Sequence, residues 1–241
     1  MNSGLSKDQL QLKKIVSSSD PSFPSTYAFN YLPSRYIHED WLTQVLGDLS
    51  NKELQRKICK SPFSDARLNR LILSQFGLVG QYCYDFDDFA RRLALMPNDE
   101  LQKIIKTIGM IPYVDDLKKI IDKKHVEQIR ACIDLKEYRF LITRVPFLLS
   151  EKFLSQINAI QVKPFDIDHI EMLCFENGIN FLLLWIEDQP LSISQRLRLK
   201  LKTGLNWESD EQFKNLSFNN VQTMFKKIIR EVVPTWRHLF V

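Results

Sequence analysis

Ser217-Phe218-Asn219-Asn220-Val221-Gln222-Thr223-Met224-Phe225-Lys226-Lys227-Ile228-Ile229-Arg230-Glu231-Val232 decides how this chain is read. Val221, Met224, Phe225, Ile228, Ile229 and Val232 recur at three- and four-residue steps, opposite Lys226, Lys227 and Arg230. That spacing puts every apolar side chain on one face of an α-helix. Ser217 stands where an N-cap belongs, and Pro234, which has no N–H to donate, stops the helix. Beyond it, Pro234-Thr235-Trp236-Arg237-His238-Leu239-Phe240-Val241 places large apolar groups where chains usually fray. Burying a Leu or Phe is worth roughly 1.5–3 kcal/mol, so this tail is expected to dock. Pro234, Trp236, His238, Leu239 and Phe240 are its expected clasp residues, held against the body of the protein.

The same period recurs upstream. Asp65 is positioned to cap a helix carrying Leu68, Leu71, Ile72 and Phe76, with Gly77 at its end. Asp85 or Asp87 is placed to cap Phe89 to Met96, and Pro97 precedes a face of Leu101, Ile104, Ile105 and Ile108. After Pro112, one long amphipathic run takes in Leu117, Ile120, Ile121, Val126, Ile129, Cys132 and Ile133. Pro146 breaks the 138–149 region. Past Pro164 and Asp166 or Asp168, a helix apolar on most sides from Ile179 onward ends near Pro190 and is expected to run through the centre. Only seven glycines in 241 residues argue against turn-rich β architectures. The expected fold is therefore mostly α, a compact helical domain of antiparallel helices. Its one β candidate is 196–202, where Leu197, Leu199 and Leu201 alternate with Arg196, Arg198, Lys200 and Lys202 at a period of two.

Ser17 to Ser25, with Pro21 and Pro24, reads as a linker after a short amphipathic stretch, Leu5 to Val16. The expected organisation is a flexible N-terminal segment over 1–30 and a helical domain over 31–241. No N-terminal run has the pattern of an export signal, and no apolar run nears the roughly 20 residues that span a bilayer. Cys59, Cys83, Cys132 and Cys174 lack paired spacing, as expected of reduced thiols in cytosol. Residues 191–241 hold nine Lys or Arg against four acids, net +5, so the preceding 190 residues sum to −1. This basic portion suits either an acidic partner or a solvated helix face.

Chemistry-bearing patterns are scarce. The histidines His38, His125, His169 and His238 show no metal-ligand spacing, and no glycine-rich phosphate loop occurs. No metal, cofactor or catalytic residue is expected. A Cys–His hydrolase built on His169 with Cys174, or His125 with Cys132, would need an orienting group and an oxyanion hole. The basic stretch 196–202, with Trp207 for stacking, leaves a helical nucleic-acid-binding protein as the alternative, although the overall basic excess of +4 is small for one.

Three stretches, in register, resemble the SctK family, also called YscK, PscK or MxiK. They are Leu32-Pro33-Ser34-Arg35-Tyr36-Ile37-His38, then Leu68-Asn69-Arg70-Leu71-Ile72-Leu73-Ser74-Gln75-Phe76-Gly77-Leu78, and finally Val233-Pro234-Thr235-Trp236-Arg237-His238-Leu239-Phe240. The resemblance implies a non-enzymatic cytoplasmic adaptor of the bacterial type III secretion sorting platform, peripheral at the cytoplasmic face of the inner membrane. Its implied partners are the forkhead-associated domain of the inner-membrane ring protein and the pod protein, and through the pods the stator and export ATPase. It implies neither nucleic-acid binding nor membrane insertion. For contact residues, Tyr36 and Trp41 on the entry segment and Arg196, Arg198, Lys200 and Lys202 on the basic stretch are the expectation, aromatics giving affinity and charge giving orientation.

Overall fold

The computed structural model describes residues 23–47, 62–160, 163–208 and 210–240. The Leu5 to Val16 stretch, the linker residues up to 22 and Cys59 lie outside the described residues. In chain order the helices are α1 (Phe23–Tyr31), α2 (Glu39–Leu46), α3 (Pro62–Gln75), α4 (Phe89–Leu93), α5 (Asn98–Gly109), α6 (Val114–Lys119), α7 (Lys123–Cys132), α8 (Leu135–Thr143), α9 (Val145–Leu148), α10 (Glu151–Ala159), α11 (Ile170–Ile186), α12 (Leu191–Leu199) and α13 (Phe218–Val232), with short 3-10 turns between some of them. No strand occurs among the described residues. The chain divides into two compact units, each built from two separate pieces: Met1–Asn98 with Gln189–Gly204, and Asp99–Asp188 with Leu205–Val241.

In the first unit, Tyr36, Ile37, Leu42, Leu68, Ile72, Leu73, Leu78 and Leu199 form one buried cluster, with Trp41, Val45, Leu46 and Phe76 packed on it. Helix α3 ends as its sequence promised. Gly77 takes φ 64°, and the Leu78 N–H reaches back to the Leu73 carbonyl at 2.7 Å, closing the helix end with a left-handed glycine. Asp65 does not cap this helix. It sits in the first turn, where its carboxylate accepts from the Ser34 hydroxyl at 2.9 Å and the Asn69 amide at 2.7 Å. Helix α4 is capped by Asp88, not Asp85 or Asp87, through a 2.7 Å bond from the Ala90 N–H. Residues 24–30, the end of the segment expected to be flexible, belong to α1 and bury Thr26, Phe29 and Asn30.

The strand reading of 196–202 is corrected: residues through Leu199 are helix α12. Ile193, Arg196, Leu197, Lys200 and Leu201 are all buried, and they fall at i, i+3, i+4, i+7 and i+8, the stripe of a helix. Counting Arg196 and Lys200 as solvent-facing had hidden the helical period and left an apparent alternation.

In the second unit, Leu101, Ile104, Ile105 and Ile108 of α5 are fully buried. The expected long run after Pro112 is instead α6 and α7. The chain breaks at 120–122, where Ile121 is 92% exposed and the Asp122 carboxylate accepts from the His125 N–H at 3.1 Å to start α7. Helix α11 is the central element expected of it: Leu173, Cys174, Ile179, Phe181, Leu182 and Trp185 are all buried. It meets α5 at two glycines. A Cβ on Gly109 would stand 1.8 Å from the Cys174 carbonyl oxygen, and one on Gly178 2.2 Å from that of Ile105, so only hydrogen fits at either place. All six stripe residues of α13 are buried, and Phe225 packs on Trp185 with ring centroids 4.3 Å apart. Six such side chains contribute on the order of 10 kcal/mol of apolar burial.

Candidate partner-binding face

The first unit draws together the two groups of expected contact residues. The end of α1 leaves carbonyls without intrahelical donors, and Arg196 from α12 serves them. Its guanidinium donates to the Phe29 carbonyl at 3.1 Å and to that of Asn30 at 3.4 Å, and also to Gln81 at 2.7 Å and Ser192 at 3.1 Å. A cation at a helix C-terminus is favoured by the helix dipole as well. The same guanidinium lies 5.1 Å from the Phe29 ring centroid. The Tyr36 hydroxyl donates to the Phe29 carbonyl at 2.9 Å. Burial pushes the Tyr36 phenol well above its ordinary range, with the neighbouring Arg196 charge pulling the other way.

One turn along α12, the Lys200 ammonium donates to the Met96 carbonyl and lies 5.2 Å from the Tyr36 ring centroid. Burial pulls the Lys200 amine down to about 7, because a charge enclosed in apolar surroundings is penalised and no carboxylate offsets the cost. Arg196, Lys200 and Tyr36 are 0%, 3% and 8% exposed. They are interior groups that hold α1, the entry segment and α12 together.

Trp41, Arg198 and Lys202 come to the outside. The Trp41 indole donates to the Leu201 carbonyl at 2.8 Å, stacks edge-on against Phe76 at 5.7 Å, and has the Arg198 guanidinium 5.4 Å from its ring centroid. Asp40 pins the following segment, accepting from the Thr203 N–H at 3.2 Å and its hydroxyl at 3.3 Å. Trp41 and Arg198 are half-buried and Lys202 is exposed. The result is an aromatic and basic face assembled from residues about 160 positions apart in the chain.

The tail lies against the end of α13 as a 3-10 segment, Pro234–Phe240, with the Trp236 N–H donating to the Val233 carbonyl at 3.0 Å. Pro234 is exposed and Trp236 half-buried. The side chains of His238, Leu239 and Phe240 lie outside the described residues.

Neither Cys–His pairing is assembled. His169 bonds the Asp166 carboxylate at 2.8 Å on the surface, which raises the His169 imidazole, while Cys174 is fully buried and faces the Glu171 carbonyl. His125 stands beside Asp122 at 3.3 Å. Among the described residues, no group of three or more His, Cys, Asp or Glu could hold a metal ion, and no helix is long and apolar enough to cross a membrane. The sequence reading missed Asn30, whose side-chain amide donates to the Cys83 carbonyl at 2.7 Å and accepts from its N–H at 2.9 Å, clamping the 81–87 segment. It also missed the approach of Cys132 to Cys174. Neither has a local signal, because the partners are 53 and 42 residues apart.

These parts define a helical scaffold carrying a composite aromatic and basic face. The family model described as "YOP proteins translocation protein K (YscK)" matches residues 24–241, and the chain belongs to this family. Membership ties it to Yop-type protein translocation, that is, to type III secretion. Yop proteins translocation protein K of Yersinia enterocolitica is 21% identical over 222 residues, covering 91% of this chain and 98% of that relative. The protein of the same name from Yersinia pseudotuberculosis serotype I (strain IP32953) is similar to the same extent. No solved structure matches the chain.

Proposed function

We propose that this protein is a non-enzymatic adaptor of the type III secretion sorting platform, joining the cytoplasmic forkhead-associated domain of the inner-membrane ring protein to the pod protein at the cytoplasmic face of the inner membrane. The observation that carries the reading is the face made by Trp41, Arg198 and Lys202. It offers a partly buried indole as an anchor, with the Arg198 guanidinium over its ring and the exposed Lys202 next in chain to the Leu201 carbonyl that holds it, the composition that gives affinity and orientation at protein interfaces. The nucleic-acid alternative is weakened by the same geometry. With Arg196 and Lys200 buried, only Arg198 and Lys202 of the basic stretch remain to follow a phosphate backbone.

Reversing both outward charges in the full chain, R198E with K202E, tests the proposal. Binding to one of the two named partners weakens at least tenfold, about 1.4 kcal/mol, while the melting temperature stays within a few degrees. Undiminished binding of both partners removes this face from the mechanism. Salt-sensitive binding of the wild-type protein to duplex or single-stranded DNA favours the alternative.

A further inference from the structure

The second unit contains a pair of thiols with no part in the docking face. Cys132 closes α7 and Cys174 lies within α11, and their sulfurs are 3.3 Å apart, in contact but well beyond the ~2.05 Å of a disulfide. Cys174 is fully enclosed, with its sulfur also 3.1 Å from the Glu171 carbonyl. Cys132 is half-buried and lines a cleft of about 190 Å³ together with Lys106, Thr107, Asp134 and Glu137. The Lys106 ammonium bridges the site, 3.5 Å from the Cys132 carbonyl and 2.8 Å from the Glu171 carboxylate. One sulfur is therefore reachable from solvent beside a cation, and the other is held directly behind it.

The geometry points to a reversible disulfide between Cys132 and Cys174, formed when a hydroperoxide enters the cleft and oxidises Cys132. The hydrogen bond from Cys174 lowers the Cys132 thiol below its usual range against the opposing effect of burial, with Lys106 assisting. The contact with Cys132, together with burial, drives the Cys174 thiol up. The two sulfurs thus have different roles. The Cys132 thiolate attacks a peroxide oxygen, an S–O bond forms as the O–O bond breaks, and the departing hydroxide takes a proton to leave as water. Cys174 then attacks the Cys132 sulfur. The S–S bond forms, the S–O bond breaks, and the second hydroxide leaves as water with the Cys174 proton. Two thiols lose two electrons and two protons, and one hydrogen peroxide becomes two waters. A small thiol reductant reverses the bond by exchange through Cys132, the reachable sulfur. The closed form ties α7 to α11 across 42 residues of chain.

The experiment treats the full-length protein with hydrogen peroxide and maps its peptides by mass spectrometry. The expected product is lighter by two hydrogens, carries a Cys132–Cys174 cross-link that dithiothreitol removes, and melts roughly 5–15 °C higher. In C174S, dimedone traps a sulfenic acid on Cys132. A wild-type protein that retains both thiols after treatment, that accumulates sulfinic acid on Cys132 beside a free Cys174, or that cross-links Cys83 or Cys59 instead overturns the proposal. The wild-type map decides the matter even where a serine variant fails to fold.

Discussion

Lys200 makes the stability of the first unit depend on pH in a direction opposite to that of a paired lysine. Its ammonium is enclosed with a backbone carbonyl and a phenol ring for company, and burial lowers it from 10.5 to about 7. Between those values the unfolded chain binds a proton that the folded one does not, so stability rises with pH across the window at up to ~1.4 kcal/mol per pH unit. Below pH 7 both states hold the proton and the penalty is constant; above 10.5 neither does and the penalty is gone. Integrated from pH 7 to pH 9, the gain is ~2 kcal/mol. K200M keeps an unbranched chain of similar length and removes the titration. The assay is urea denaturation of the full-length protein and of K200M at half-unit steps across this range, read as the difference between the two curves so that other titrating groups cancel. Wild type should gain on K200M steadily from pH 7 to pH 9. Parallel curves would mean that Lys200 keeps its ordinary affinity for protons when folded, and the account of an uncompensated interior charge would be wrong.

Arg196→Met should destabilise the protein by about 3 kcal/mol or more in the same assay, because the carbonyls of Phe29, Asn30, Gln81 and Ser192 lose their donor together. Arg196→Lys, with one donating centre in place of a fork, should recover only part of that. Gly178→Ala should cost ~2 kcal/mol or more and lower the thermal midpoint, since its methyl would fall 2.2 Å from the Ile105 carbonyl oxygen and α5 would have to move from α11. Deleting residues 234–241 should lower the melting temperature and secretion together; unchanged stability with lost partner binding would make the tail a contact surface.

What the sequence disclosed follows from what its period can encode. The α13 stripe and the Gly77 stop were legible because each is a local pattern with one physical solution: a helix face, and a left-handed terminus that glycine alone occupies without strain. Stretch 196–202 failed by the same logic. Arg196 and Lys200 are buried because carbonyls at the end of α1 and after α4 need donors, and those carbonyls belong to residues about 100 or more positions earlier. Nothing within a helical turn of Arg196 announces them, so the stretch looked two-sided. Asp65 was misassigned for a related reason: acids suit both the cap and the first turn, and its choice was settled by Ser34, 31 residues away. Tyr36 and Trp41 form a pair in sequence, yet one is interior and the other half-buried, because Tyr36 closes the 3-10 turn Pro33–Arg35 ahead of α2 while Trp41 lies within α2.

The division of the basic stretch bears directly on the proposed docking face. Arg196 and Lys200, four residues apart, fall on the buried stripe of α12 and its C-cap, whereas Arg198 on the helix is half-buried and Lys202, beyond the helix end, is exposed. Arg196 and Lys200 fasten α12 to α1 and the entry segment; Arg198 stands over the Trp41 ring, and Lys202 follows Leu201, whose carbonyl accepts from the indole. The face therefore cannot form from residues 1–98 alone, since Arg198, Lys202 and the carbonyl that holds the Trp41 indole arrive only after the intervening 99–188 piece of the other unit. Closing a loop of that length costs on the order of 4 kcal/mol in chain entropy, which the buried Leu197, Leu199 and Leu201 must offset before the face exists. An incomplete chain then lacks this face, so under the proposed adaptor role a partner docking there would bind only molecules whose first unit is complete.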